Sequence, residues 1–180
     1  VISQDSGTLQ VVVSNVVGAV SSAEARLSVN SRPTVRTQPQ NRIAVADSEV
    51  TFSVEVEGTA PLLYQWRFDG TNIANATNAT LVLTNVQPAQ AGGYSAFIRN
   101  VAGSVASLAG ILAVNVPVTI TAQPQPLTLL AGAVATFSVT ATGTPPLTYQ
   151  WFLSGAPAAA GPGAASSTLT ANNAQPADGG

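Results

Sequence analysis

Two glutamates, Glu55 and Glu57, are the first candidates for chemistry. They lie in Val50-Thr51-Phe52-Ser53-Val54-Glu55-Val56-Glu57, where apolar and polar residues alternate as in a half-buried strand. A spacing of two puts both carboxylates on one strand face, ~7 Å apart. Paired carboxylates can run general acid–base chemistry or contribute to a Ca²⁺ site. A Ca²⁺ site takes about six to eight oxygens, however. The corresponding positions 85 residues on are Thr140 and Thr142. The pair therefore reads as a solvated outer face.

The remaining reactive types are scarce. The chain has no Cys, no His and no Lys. That excludes disulfides, thiol nucleophiles, zinc–thiolate sites and Ser-His-Asp triads. The expectation is a protein that is not an enzyme, with no cofactor and no metal. Asn75-Ala76-Thr77 and Asn78-Ala79-Thr80 fit the glycosylation sequon, a short pattern that is frequent by chance in Asn/Thr-rich sequence.

One contact surface is readable. If Trp66 and Ala96 point inward, then Gln65, Arg67, Phe97 and Arg99 point outward. An exposed aromatic between two Arg resembles a binding hot spot. Val12 and Ser14 occupy the Phe97 and Arg99 positions in an earlier copy of the pattern, so an ordinary outer sheet face is the plainer reading.

Composition narrows the partners. Of 180 residues, six are Arg or Lys and eight Asp or Glu, for a net charge of −2. No basic patch exists, which argues against nucleic acid. From Val101 to Ala177 there is no charged side chain. That run is not a membrane span, because Pro117, Pro124, Pro126, Pro145 and Pro146 and many polar residues interrupt it. A surface solvated by Ser, Thr, Asn and Gln suits an extracellular β-protein. The 15 Gly and 12 Pro are spread along the chain, as in a series of short strands joined by turns.

The elements that position these residues repeat. Tyr64-Gln65-Trp66 returns as Tyr149-Gln150-Trp151, and Gln38-Pro39-Gln40 as Gln123-Pro124-Gln125. Asn15 and Gly18 match Asn100 and Gly103, and Leu27 matches Leu112, at the same spacing of 85. Asn85-Val86-Gln87-Pro88 matches Asn173-Ala174-Gln175-Pro176 at 88. The third copy therefore gains about three residues, placed in the loop from Gly155 to Ala165. The expected organisation is the last two strands of one repeat in 1–30, a complete repeat in 31–115, and the first part of a third, lacking its last two strands, in 116–180.

Within the complete copy the pattern predicts strands over 34–38, 42–46, 49–57, 62–68, 80–84, 94–100 and 104–114. Leu108, Leu112 and Val114 are expected on one face, and no helix longer than a single turn is expected. Asp69-Gly70 is a hairpin-type turn. Asp47, or Gly132 in the next copy, suits a turn with positive φ.

About seven short strands in some 85 residues imply a β-sandwich. The strand Val50 to Val54, Trp66, Thr80-Leu81-Val82-Leu83 with Val86, and Gly92-Gly93-Tyr94-Ser95-Ala96 with Asn100 and Gly103 resemble the immunoglobulin-like family. They are most similar to its intermediate set and to tandem copies in large exported bacterial proteins. Tyr64 to Gly70 is also similar to the middle of a polycystic-kidney-disease-type repeat, whose further Gly-Asp-Gly is absent. The immunoglobulin resemblance implies an all-β, Greek-key sandwich in tandem. It places the family's two disulfide cysteines at Val54 and Ala96, with Val11 and Val139 in the other copies, so packing alone must hold the core. It makes Trp66 a core anchor and Tyr94 a tyrosine corner. The core expected is Val54, Trp66, Tyr94 and Ala96, with Val139 and Trp151 in the third copy.

The functional expectation is a non-catalytic spacer or adhesion module of a secreted or cell-surface protein. Its partners would be neighbouring repeats and a protein or glycan on a surface. The alternative is a carbohydrate-binding accessory module of a secreted hydrolase encoded outside this stretch. That alternative requires exposed aromatics in a row, and only Phe97 and Phe152 qualify.

Overall fold

The computed structural model describes residues 7–158 and 165–175. Most of the inserted loop expected between 155 and 165, Pro176 of the last repeat match, and both chain ends lie outside the described residues. The chain divides into two compact units, Val1–Val114 and Asn115–Gly180.

The first unit begins with a long antiparallel hairpin in two registers. Strands β2 (Val12–Ser14) and β3 (Ala19–Ser21) pair near its tip, and β1 (Gly7–Leu9) pairs with β4 (Ala25–Leu27) near its base. At the tip, Asn15 Oδ1 accepts from the Val17 and Gly18 amides at 2.8 and 3.0 Å. Between the two paired segments, Ser22 Oγ accepts from the Val11 amide at 3.1 Å and donates to the Ala23 carbonyl at 2.8 Å. The serine satisfies backbone groups that the interrupted ladder would leave unpaired.

The complete copy follows as β5 (Thr34–Thr37), β6 (Arg42–Val45), β7 (Val50–Ser53), β8 (Glu55–Glu57), β9 (Leu63–Phe68), β10 (Thr71–Asn72), β11 (Thr80–Leu83), β12 (Gly92–Asn100), β13 (Gly103–Ala106) and β14 (Gly110–Asn115). One sheet has the order β10-β9-β12-β14-β6, with β13 also paired to β12. On the opposing side β7 pairs with β11 and β8 with β5. A 3₁₀ turn at Pro88–Gln90 is its only helical element among the described residues.

Two sequence expectations change in detail. The strand expected over 49–57 is broken at Val54, because its halves take different partners: β7 turns to β11 and β8 to β5. Leu108, expected inward with Leu112 and Val114, is 70% exposed. The cause is a break between β13 and β14. There Ser107 Oγ accepts from the Ala96 amide and donates to the Leu108 carbonyl, both at 2.8 Å. Strict alternation does not carry across such an interruption. Ser107 stands to Ala96 as Ser22 stands to Val11, and β12–β13 repeat the pairing of β2–β3: Phe97↔Ala106 and Arg99↔Ser104 against Val12↔Ser21 and Ser14↔Ala19.

The core lies between the two sides of the sandwich. Val50, Phe52, Val54 and Leu81 meet Trp66, Tyr94, Ala96, Ile98 and Leu112, with Val86 entering from a loop. Trp66 is 0% exposed. Phe52 stacks on Tyr94 with centroids 4.9 Å apart and tilts against Trp66 at 6.3 Å. Val54 and Ala96 are both buried. Two small apolar side chains thus occupy the positions where the resemblance places a disulfide.

The second unit contains β15 (Thr119–Ala122), β16 (Ala135–Ser138), β17 (Thr140–Thr142), β18 (Phe152–Leu153), β19 (Ala156–Pro157) and β20 (Thr168–Ala171). Their pairings, β15–β17, β16–β20 and β18–β19, repeat those of β5–β8, β7–β11 and β9–β10. Phe137 tilts against Trp151 at 6.5 Å, as Phe52 does against Trp66. Val139 and Trp151 are half-buried.

Candidate functional site

The carboxylate pair resolves first. On the outer face of the β5–β8 ladder, Arg36 forms an ion pair with Glu57, and the Thr37 hydroxyl donates to Glu55. The hydrogen bond from Arg36 holds the Glu57 carboxyl below its ordinary range. An acid held ionised is the reverse of the raised carboxyl that a general acid needs. Among the described residues no group of three or more His, Cys, Asp or Glu is placed to hold a metal. The two sequon asparagines, Asn75 and Asn78, are exposed between β10 and β11.

The predicted contact residues share the outer face of the β9–β12 pair. Cross-strand register sets Phe97 opposite Gln65 and Arg99 opposite Leu63. The two-residue turn at Asp69-Gly70, both with positive φ as a hairpin turn of this length favours, sets Asn72 opposite Arg67. Asn72 Oδ1 accepts from Arg67 Nε at 2.9 Å, and the guanidinium carbon sits 4.6 Å from the Phe97 ring centroid. Leu63, Arg67, Asn72, Thr77, Phe97 and Arg99 line a shallow depression there.

Of the four, Gln65, Arg67 and Phe97 are half-buried and Arg99 is exposed. Phe97 is half-buried, because the guanidinium covers part of its ring. Gln65 lines the depression, but its amide nitrogen is committed to the Trp66 and Ile73 carbonyls at 2.8 and 2.7 Å. It closes the sheet edge rather than offering a free donor. Gln150 makes the corresponding bond to the Trp151 carbonyl at 2.9 Å. Asn72 escaped the sequence reading, although a two-residue turn at 69–70 already implies that 72 faces 67.

Tyr94 donates its hydroxyl to the Gln90 carbonyl at 2.8 Å, across the 3₁₀ turn that precedes its strand. Burial, with a smaller contribution from Asp69, raises its pKa above the ordinary value. A Cβ at Gly92 would lie 2.6 Å from the Phe68 ring and 2.8 Å from an Asp69 carboxylate oxygen, so a substitution there must displace those side chains. Asp69 Oδ1 in turn accepts from the Gly93 amide at 2.8 Å. The start of β12 is thereby clamped to the hairpin that carries Arg67.

The sandwich, the buried Trp and the tyrosine bond set the architecture. The family model described as "Immunoglobulin domain" matches residues 32–100. Over those residues the chain has the immunoglobulin-like fold. It is 30% identical over 152 residues to Roundabout homolog 3 of Homo sapiens, and 31% identical over 153 to Protein sax-3 of Caenorhabditis elegans, each match covering 82% of this chain. It is 31% identical over 166 residues to Hemicentin-2 of Mus musculus, covering 84%. The chain spans 11%, 12% and 3% of those three proteins. Among solved structures it is similar to an I-band fragment from titin, with a TM-score of 0.82, 24% identity and coverage of 98% of this chain and 68% of that one. A Sidekick-1 structure of immunoglobulin domains one to four gives 0.63 at 22% identity, covering 99% and 53%. The fold is an immunoglobulin-like β-sandwich in tandem. The named relatives are animal proteins, so they give no support to the bacterial setting expected from the sequence.

Proposed function

We propose that this chain is a non-catalytic run of immunoglobulin-like repeats, serving as spacer and adhesion module in a larger secreted or cell-surface protein. In this reading 1–30 is the closing hairpin of one repeat, 31–115 a whole repeat and 116–180 the opening part of a third. The observation that carries it is a backbone that repeats while its polar surface does not. The paired strands, the Ser22 and Ser107 bridges and the Trp66 and Trp151 indole bonds recur. Glu55 and Glu57 give way to Thr140 and Thr142, and Phe97 and Arg99 stand where Val12 and Ser14 stood. Selection for a reaction would hold a polar constellation; a scaffold holds its packing.

Two measurements test the reading. Pulling the chain from its ends should give one distinct unfolding event for the complete copy, releasing about 300 Å of contour at ~3.6 Å for each of some 85 residues. Beads coated with the chain should adhere to beads or matrix proteins more strongly than bare beads do. Saturable binding on a glycan array without protein adhesion would replace it with the carbohydrate-binding alternative, for which Phe152 is exposed but Phe97 is half covered.

A further inference from the structure

We infer that the depression around Phe97 is a docking site for a protein segment that presents a carboxylate beside an apolar side chain, with Arg67 as its receptor. The inference rests on the adhesion reading above and names the partner chemistry at one face.

Charge is the first support. Arg67 and Arg99 both line the depression, and no Asp or Glu does. The one ion pair among the described residues is Arg36 with Glu57, in the other ladder of the sandwich. In a chain of net charge −2, two arginines stand together here without a carboxylate partner.

Preorganisation is the second support. A guanidinium carries five N–H donors in a planar fork that matches a carboxylate two-to-two. Here Asn72 takes the Nε donor, and the guanidinium carbon lies over the Phe97 ring. The ring and the amide fix a side chain that is otherwise costly to immobilise, which lowers the entropy lost on binding. The terminal nitrogens remain for a bidentate carboxylate. Leu63, 51% exposed beside Arg99, supplies the apolar seat.

A sulfated glycan fits less well. Such chains are held by many cations in a row, whereas this face has two. A neutral sugar would stack on a bare aromatic face, and the Phe97 face is shared with Arg67.

The test is a nuclear magnetic resonance titration of the 180-residue chain, following backbone amides and the Arg67 Nε–H. The probes are acetyl-Glu-Leu-Glu-amide, its Gln-Leu-Gln counterpart and a sulfated heparin disaccharide. The Glu peptide should shift the Arg67 Nε–H and amides near residues 63–67, 72 and 97–99. Its Kd should rise at least ~tenfold in Arg67→Gln, since losing a charge-assisted pair is worth on the order of 1.5–3 kcal/mol. Arg36→Gln should leave it unchanged. Equal shifts from the Gln peptide, shifts centred on Arg36 or Arg42, or no shifts at all would overturn the inference. Tighter binding of the disaccharide at the same residues would overturn it in favour of an anionic glycan. Bead adhesion that persists while the peptide fails removes this inference alone; loss of bead adhesion bears on the broader reading.

Discussion

The Trp66 indole nitrogen donates to the main-chain carbonyl of Asn78 at 2.9 Å. Trp151 makes the same bond to Ser166, also at 2.9 Å. The ring fills the centre of the sandwich, and its one polar atom is satisfied by the segment that leads into β11. Removing the indole therefore loses volume and leaves a carbonyl without its donor. Trp66→Ala should cost ~3–5 kcal/mol, a large share of the ~5–15 kcal/mol of a whole domain. Trp66→Phe should fall between it and the parent. Urea melts followed by circular dichroism decide it, and an unchanged midpoint for Trp66→Ala would remove Trp66 from the core.

Tyr94 gives a pH dependence with a definite sign. Its folded pKa is raised, chiefly by burial, so the fold favours the neutral phenol. That preference is fully present below the unfolded value of ~10. It is lost as pH rises from there through the higher folded value. Alkaline melts should show a steeper fall in stability above pH ~10 for the parent than for Tyr94→Phe. At neutral pH the same variant should lose about 0.5–1.5 kcal/mol with the bond to Gln90. Parallel alkaline limbs would mean that Tyr94 ionises freely in the folded protein.

Much of this fold was legible because its signals are local. Alternation marks Val50 to Glu57, and the Asp69-Gly70 pair marks a hairpin. The 85-residue spacing transfers each assignment to a second copy. What failed was alternation across interruptions. Val54 divides one apparent strand between two ladders, and Ser107 resets the phase that would have buried Leu108. The contact face was legible as a set of outward positions. Its internal geometry was not, because Gln65 is drawn to carbonyls and Arg67 to Phe97 by contacts that no periodicity encodes.

Asn100 closes the end of the complete copy. Its amide nitrogen donates to the Ser31 and Thr59 carbonyls at 2.7 and 2.8 Å. Its oxygen accepts from the Ala102 and Gly103 amides at 2.9 and 3.1 Å. Asn100→Asp keeps the acceptor and replaces two donations with a carboxylate facing two carbonyls. It should destabilise by more than Asn100→Ser at pH 7, and recover part of the loss below pH ~4, where a protonated acid can donate once. Equal melting temperatures at both pH values would show that the carbonyls find other donors.

Arg36 and Glu57 should matter little. The hydrogen bond lowers the Glu57 pKa, so any contribution is present above the unfolded value of ~4.3 and is lost as pH falls through the folded value. Both groups are exposed, and exposed pairs contribute little. Glu57→Gln should leave the thermal midpoint at pH 7 within error, and added EDTA should do the same. A shift of several degrees with chelator would reveal an oxygen-ligand site at these strands.

The last prediction concerns two apolar faces in the 180-residue polypeptide. In the complete copy Tyr94, Ala96 and Leu112 are buried against the opposing ladders. Their counterparts in the first hairpin are Leu9, Val11 and Leu27, and Leu9 and Val11 are 62% and 56% exposed. Trp151 is half-buried where Trp66 is buried completely. On the proposed reading of the repeats, the first face belongs to a closing hairpin and the second to an opening part that such a hairpin would complete. An apolar face beside unpaired strand groups is a template for strand addition. The hairpin of one molecule can complete the second unit of another, a head-to-tail contact that propagates unless it closes into a ring. Sedimentation should show mass rising with concentration in the micromolar range, and the double variant Leu9→Ser with Val11→Ser should shift the curve toward monomer. A polypeptide that stays monomeric at high micromolar concentration would mean that these faces do not recognise each other.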